Sequence, residues 1–297
     1  MGHDLGHAPF GHQGETSIDQ LSRKHLKEKF WHERNGLRFV DSIELLEDNY
    51  RKYKNLDLTY AVRDGIISHC GEVDENGLKP RSEKMDLSEF KQPGQFQPAT
   101  WEGCVVKISD KIAYIGRDIE EAKLIEMASV NDKNVVNTTV IMHNLIIDIC
   151  KNSNLDKGIC LSEEFYKQMN MLKDFNNEYI YKNKRFEPFK KYAELVINEI
   201  FNVLMDTYNG IHSFEKIEAK IKYYPILMNS FEKWLVDYCD LEIINNSKLK
   251  DIALNCENKK IYGKLSDEKI YIQAVLDFIA GMTDRFAVKV FNELLTY

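Results

Sequence analysis

In two long segments, apolar residues return every third or fourth position. They are KKYAELVINEIFNVLMDTY at 190–208 and EKIYIQAVLDFIAGMTDRFAVKVFNELL at 268–295. A period near 3.6 buries one face of a helix, whereas a half-buried strand needs a period of two. KISDKIAYIGRDIEEAKLIEM at 107–127 sets Ile108, Ile112, Ile115, Ile119 and Leu124 along a similar stripe. DSIELLEDNYRKYKN at 41–55 spaces Ile43, Leu45, Leu46 and Tyr50 in a way that predicts a further helix. Strand-like alternation with tight NG or DG turns is nearly absent. The pattern predicts an all-α protein.

The clearest break is GEVDENGLKPRSEKMDLSEFKQPGQFQPATWEG at 71–103, with Pro80, Pro93 and Pro98. Proline and glycine at that density stop helices, and a long excursion in a compact domain is often functional. A second polar connection, KNSNLDKG, lies at 151–158. The division read here is a core at 1–150, carrying the excursion, and a C-terminal helical lobe at 151–297.

The formal net charge is −7 over 297 residues. An acidic chain is a poor generic binder of nucleic acid, and any polyanionic ligand needs cations gathered locally or brought by a metal. The six cysteines contain no CxxC pair. That argues against a zinc ribbon or disulfide framework and predicts a reducing, cytoplasmic setting. The longest apolar run, NTTVIMHNLIIDIC, is broken by His143, Asn144 and Asp148, so no membrane span is expected. The N-terminus lacks the basic flank and apolar stretch of a signal peptide.

Residues 3–12 read HDLGHAPFGH. Imidazole nitrogen beside carboxylate oxygen suits a divalent metal such as Mn, Fe, Co, Zn or Mg. Asp110, Tyr114 and Asp118 recur at i, i+4 and i+8, so they line one face of a helix. His12 and Glu15, three apart, are spaced to pair. Elsewhere, His69 reads as a buried or outer-sphere residue, and His143 as a packed core histidine.

The string HDLGHAPFGHQGE closely resembles the signature of the HD-domain deoxynucleoside triphosphate triphosphohydrolases, the dGTPase-like family. FWHERNGLR at 30–38, LTYAVRDGIISHCGE at 58–72, PATWEGCVVKISDKIAYIGRDIEEA at 98–122 and FIAGMTDRFAVKVFNEL at 278–294 resemble further segments of that family. The resemblance runs nearly end to end.

It implies an HD-domain helical fold and hydrolysis of dNTPs, dGTP or others, to deoxynucleoside and inorganic triphosphate. Carried over, His3, Asp4 and Asp110 are metal ligands, for Mn, Fe, Co, Ni, Zn or Mg. His12 is the catalytic histidine and Glu15 orients it. His7 and His32 line the phosphate pocket and Lys111 meets a phosphate. Tyr114 and Asp118 hold the deoxyribose, and Mg accompanies the nucleotide. The resemblance also implies a homo-oligomer, with single-stranded DNA as a secondary partner. The family's first metal histidine lies upstream of the HD pair. A chain starting at Met1 is therefore expected to be N-terminally truncated, to keep three recognisable ligands and to bind metal more weakly. Two alternatives stand beside this: an HD-type phosphohydrolase on another nucleotide, and a truncated, non-catalytic nucleotide-binding protein.

Overall fold

A computed structural model describes residues 2–70, 76–124, 138–176, 183–244, 249–251 and 256–296, with side chains at 116–124, 241 and 256 outside the description. The helices are α1 (Gly11–His25), α2 (His32–Arg38), α3 (Tyr60–Ser68), α4 (Trp101–Leu124), α5 (Thr138–Asn152) and α6 (Glu163–Phe175). They continue as α7 (Glu187–Met205), α8 (Ser213–Ile221), α9 (Pro225–Tyr238), α10 (Glu268–Ala280) and α11 (Asp284–Leu295). Strands β1 (Leu45–Glu47), β2 (Tyr53–Asn55) and β3 (Cys256–Glu257) make one small sheet in that order. The fold class is all-α, as the periodicity predicts. No helix among the described residues is long and apolar enough to cross a membrane.

The chain forms two compact units. One joins Met1–Leu58 to Phe189–Tyr297, and the other is Thr59–Pro188. The boundary read from sequence at 150/151 falls inside α5.

In the first unit, α10 is buried around most of its circumference, including Tyr271, Val275, Phe278 and Ile279. A helix apolar on all sides belongs in a core. α7 contributes the stripe Ala193, Val196, Ile197, Ile200 and Leu204. The Asp267 side chain caps the start of α10 by accepting from the Lys269 N–H, and Thr283 does the same for Phe286 on α11. Asp277 brings charge into this core. Asp277, 1% exposed, accepts from Arg38 Nε and Nη2, Tyr262 Oη and Gln273 Nε2 at 2.7–3.0 Å.

Glu232 on α9 is also buried, and its Oε1 has no hydrogen-bond partner among the described residues. Burial raises its carboxyl pKa, and the charge of Glu218 raises it further. A raised folded-state pKa costs stability once pH exceeds the unfolded value of about 4.3. Glu232→Gln is therefore expected to stabilise the protein at pH 7 by about 1 kcal/mol. The gain should vanish below about pH 4, where the carboxyl is protonated in both states. Melting curves at the two pH values measure this; equal shifts at both would contradict it.

The helix predicted over 41–55 does not form. A π-helical turn, Phe39–Ile43, leads into a β1–β2 hairpin with Leu45 opposite Asn55. Asp48 explains the difference. Its side chain accepts the N–H groups of Tyr50 (2.8 Å) and Lys52 (3.0 Å), and Arg51 turns the chain at φ 60°. An aspartate that captures nearby backbone donors competes with the helix. Lys52 and Lys54 then pair with Glu257 on β3.

In the second unit, α4 packs against α3 and α5. Ile112, Ile115, Leu145, Leu161 and Met169 form its apolar cluster. The excursion after α3 is fastened by polar contacts. Arg81 pairs with fully buried Asp64, donates to Gln97 O (2.6 Å) and to Tyr60 Oη (2.7 Å), and Asp64 also accepts from the Ala99 N–H (2.6 Å). His143, expected in the core, is exposed on α5. The apolar spacing there covers a different face.

Candidate active site

The N-terminal turn that carries the histidines is built by glycine and by side chains from far along the chain. Gly6 adopts φ +72°, and a Cβ there would sit 2.8 Å from Asn35 Nδ2 and against the Phe39 ring. Asn35 Nδ2 donates to the Gly6 carbonyl at 2.6 Å, in a buried position. Phe10, not a glycine, takes φ 67°, and its N–H donates to Asp284 Oδ1 at 2.8 Å. The Phe10 ring packs edge-on to Phe189 and Tyr192. Asp284, in the block AGMTDR, thus positions the turn although it touches no histidine in these contacts. Sequence reading quoted the block but missed that role.

Gly14 lies on α1 directly over the turn. A Cβ there would overlap the Pro9 carbonyl oxygen. Helix propensity alone favours alanine over glycine by about 1 kcal/mol. The steric overlap is larger, because forcing extra volume into fixed backbone costs about 3 kcal/mol. Gly14→Ala is expected to destabilise the protein by the difference, about 2 kcal/mol. Urea unfolding measures it, and an unchanged or raised midpoint would contradict the fit described.

α1 starts at Gly11, so His12 and Glu15 stand one turn apart on it. His12 Nδ1 lies 3.2 Å from Glu15 Oε2. α2 starts at His32, whose N–H donates to Glu15 Oε1 at 2.9 Å and whose Nδ1 lies 3.3 Å from both Glu15 oxygens. One carboxylate therefore holds two imidazoles. His7, His12 and His32 form a triangle with ring centroids 4.6, 6.1 and 6.2 Å apart. Glu33, buried beneath, brings Oε2 to 3.5 Å from His32 Nδ1. Glu33 is a second acid that sequence reading passed over; its adjacency to His32 in WHE was the available signal.

The electrostatics follow from these contacts. Burial alone would raise the Glu15 pKa, but hydrogen bonds from His12 and His32 overcome it and hold the group far below the ordinary carboxylate range. The Glu15 hydrogen bond raises the His12 pKa against a smaller desolvation effect. Burial pushes His32 toward its neutral form, but Glu15 and the charge of Glu33 prevail, so its pKa is raised. His7, partly buried and beside His32, is lowered by desolvation and by the His32 charge. The charge of Asp4 acts on both His7 and His32. A carboxylate can only accept, so Nδ1 of His12 and of His32 carries a proton and Nε2 faces the other way.

His3 Nε2 and Asp4 Oδ2 converge to 3.1 Å. That donor pair fits a divalent cation. Ligand atoms of His7, His12 and Glu15 also lie within 4.8 Å of one another, as do those of Glu15, His32 and Glu33. The second unit carries the remaining expected residues on α4. Asp110 and Lys111 are half-buried there, and Asp110 Oδ2 accepts from Cys70 Sγ at 3.8 Å. Tyr114 is partly buried against the apolar cluster of that unit. Asp118 lies on the same helix, and its side chain is outside the described residues.

A phosphohydrolase-associated domain matches residues 159–218 and 254–293. A deoxyguanosinetriphosphate triphosphohydrolase-like protein of Caldanaerobacter subterraneus subsp. tengcongensis is 28% identical over 301 residues, covering 99% of this chain and 65% of the relative. Like-named proteins of Rickettsia bellii and Rickettsia akari are 25% and 26% identical. They too align with 99% of this chain, which spans 74% and 73% of their lengths. The chain thus spans slightly under two thirds of the first relative and about three quarters of the others.

Proposed function

Because the chain belongs to the HD-domain, dGTPase-like family, we propose that it hydrolyses deoxynucleoside triphosphates to deoxynucleoside and inorganic triphosphate. One observation carries the proposal: a single buried-side carboxylate, Glu15, gathers His12 and His32 by Nδ1. The exposed His12 ring then offers its Nε2 edge to a polyanionic substrate.

His3, Asp4 and Asp110 would hold the divalent ion, Mn, Fe, Co, Ni, Zn or Mg; the convergence of His3 and Asp4 supports the fit. When bound, such an ion supplies Lewis-acid polarisation of a phosphoryl oxygen. The protein's own groups do the rest. His12, its pKa raised by the Glu15 hydrogen bond, is biased toward the imidazolium and delivers the Nε2 proton to the departing 5′-oxygen. Glu15 orients that ring and stabilises its charged form. His32, also biased toward the imidazolium, offsets triphosphate charge, and neutral His7 hydrogen-bonds to it. Lys111 meets a phosphate, where Mg carried by the nucleotide shares the charge. Tyr114 and Asp118 hold the deoxyribose, with Asp118 at the 3′-hydroxyl. Such local cations are needed because the whole chain is acidic. The protein works as a homo-oligomer in the cytoplasm, where thiols stay reduced. Single-stranded DNA is a secondary partner.

A second reading, hydrolysis of another nucleotide, draws support from Tyr114, whose ring is partly committed to core packing. A panel of deoxy- and ribonucleoside triphosphates separates the two. Turnover confined to the deoxy series supports the first. Equal turnover of both series supports the second.

A further inference from the structure

We infer that Asn35 is a positioning residue for the metal-donor turn: it holds the peptide plane between Gly6 and His7 and through it orients Asp4. α2 presents one face to that turn. His32, Asn35 and Phe39 stand at i, i+3 and i+7, so they share a side of the helix. The His32 ring centroid lies 4.6 Å from that of His7. Asn35 Nδ2 and the Phe39 ring close over the Cα of Gly6, where a Cβ would not fit. Both side chains belong to buried residues.

The link from Asn35 to Asp4 runs through a single peptide. Asn35 Nδ2 donates to the Gly6 carbonyl at 2.6 Å. A carbonyl oxygen only accepts, so the amide nitrogen faces it and not the amide oxygen. A peptide unit is planar and trans, so fixing the Gly6 carbonyl also aims the His7 N–H. That N–H donates to the Asp4 carbonyl at 3.1 Å. Asp4 in turn brings Oδ2 to 3.1 Å from His3 Nε2. Glycine has the most conformational freedom to lose, so a plane next to Gly6 needs an outside hold. α2 supplies it from 29 positions along the chain. Groups that orient a metal ligand without touching the ion typically cost about 10–100-fold in metal affinity or activity when removed. The inference rests on the proposed function through the assignment of His3 and Asp4 as ligands. The hold on Gly6 is independent of it.

The test is titration of Mn²⁺ into the chelator-treated full chain, followed by the electron paramagnetic resonance signal of the free ion. Wild type should bind the ion. Asn35→Leu, which keeps the branching of the side chain and removes the donor, should bind it about 10–100-fold more weakly. Circular dichroism shows that the variant is folded, and Asn35→Ser replaces it if it is not. Ile200→Val thins the buried stripe of α7 and should bind Mn²⁺ as wild type does, which separates positioning from a general loss of stability. Unchanged Mn²⁺ affinity in the folded Asn35 variant overturns the inference and leaves the nucleotide activity standing. Equal weakening in the Asn35 variant and Ile200→Val overturns it as well. Absence of Mn²⁺ binding by wild type overturns the ligand assignment and the inference with it. Weakening confined to the Asn35 variant, in a protein that hydrolyses no nucleotide, upholds the inference and contradicts the hydrolase assignment.

Discussion

Replacing His12 by alanine is expected to lower turnover of deoxynucleoside triphosphates by about 10²–10⁴-fold, the range for a lost general acid. The loss should fall on kcat, with KM and melting temperature nearly unchanged. His12 is on the surface of α1, its side chain 65% exposed, so little packing is lost with it. Its ring contacts are Glu15 and the looser neighbours His7 and His32. Glu15 keeps its hydrogen bonds to His32, so the carboxylate is not abandoned. A destabilised His12→Ala protein, or one that turns over normally with metal bound, would remove His12 from proton transfer.

The largest effect on stability is expected at Asp277. Asp277→Ala should destabilise the protein by about 3–5 kcal/mol, because it strands the Arg38 guanidinium without its buried partner. Tyr262 and Gln273 lose the same acceptor. Against a total stability of about 5–15 kcal/mol, that is enough to empty much of the folded population on mild heating. Replacing both Arg38 and Asp277 by methionine and leucine should cost less than Asp277→Ala alone, since no charge is then left unpaired. Chemical unfolding of the three proteins checks the order. A double variant less stable than the single one would show that the ion pair adds net stability.

Much of this architecture is legible in sequence, for a local reason. α7 and α10 announce themselves because their apolar residues repeat at the helical period over many turns. The His12–Glu15 pair is also legible, because i and i+3 on a helix are neighbours wherever the helix packs. Residues 41–55 were misleading because four apolar side chains fit a helical period by coincidence, while Asp48 diverted the backbone donors that a helix needs. Long-range roles left no local mark. Asp284 holds the Phe10 N–H across 274 positions, and Asp277 meets Arg38 across 239. Nothing in spacing links such pairs. The first unit likewise joins the N-terminal 58 residues to the chain beyond 188, whereas linker composition reads only contiguous boundaries. Cys70 and Asp110, forty positions apart, belong to the same class.

The most direct measurement is ³¹P NMR of the products formed from a deoxynucleoside triphosphate by the purified, metal-supplemented chain. Intact inorganic triphosphate beside the free deoxynucleoside is the result expected from a proton donor at the 5′-oxygen. Release of orthophosphate or diphosphate would place cleavage elsewhere in the triphosphate and contradict the role given to His12 and Glu15.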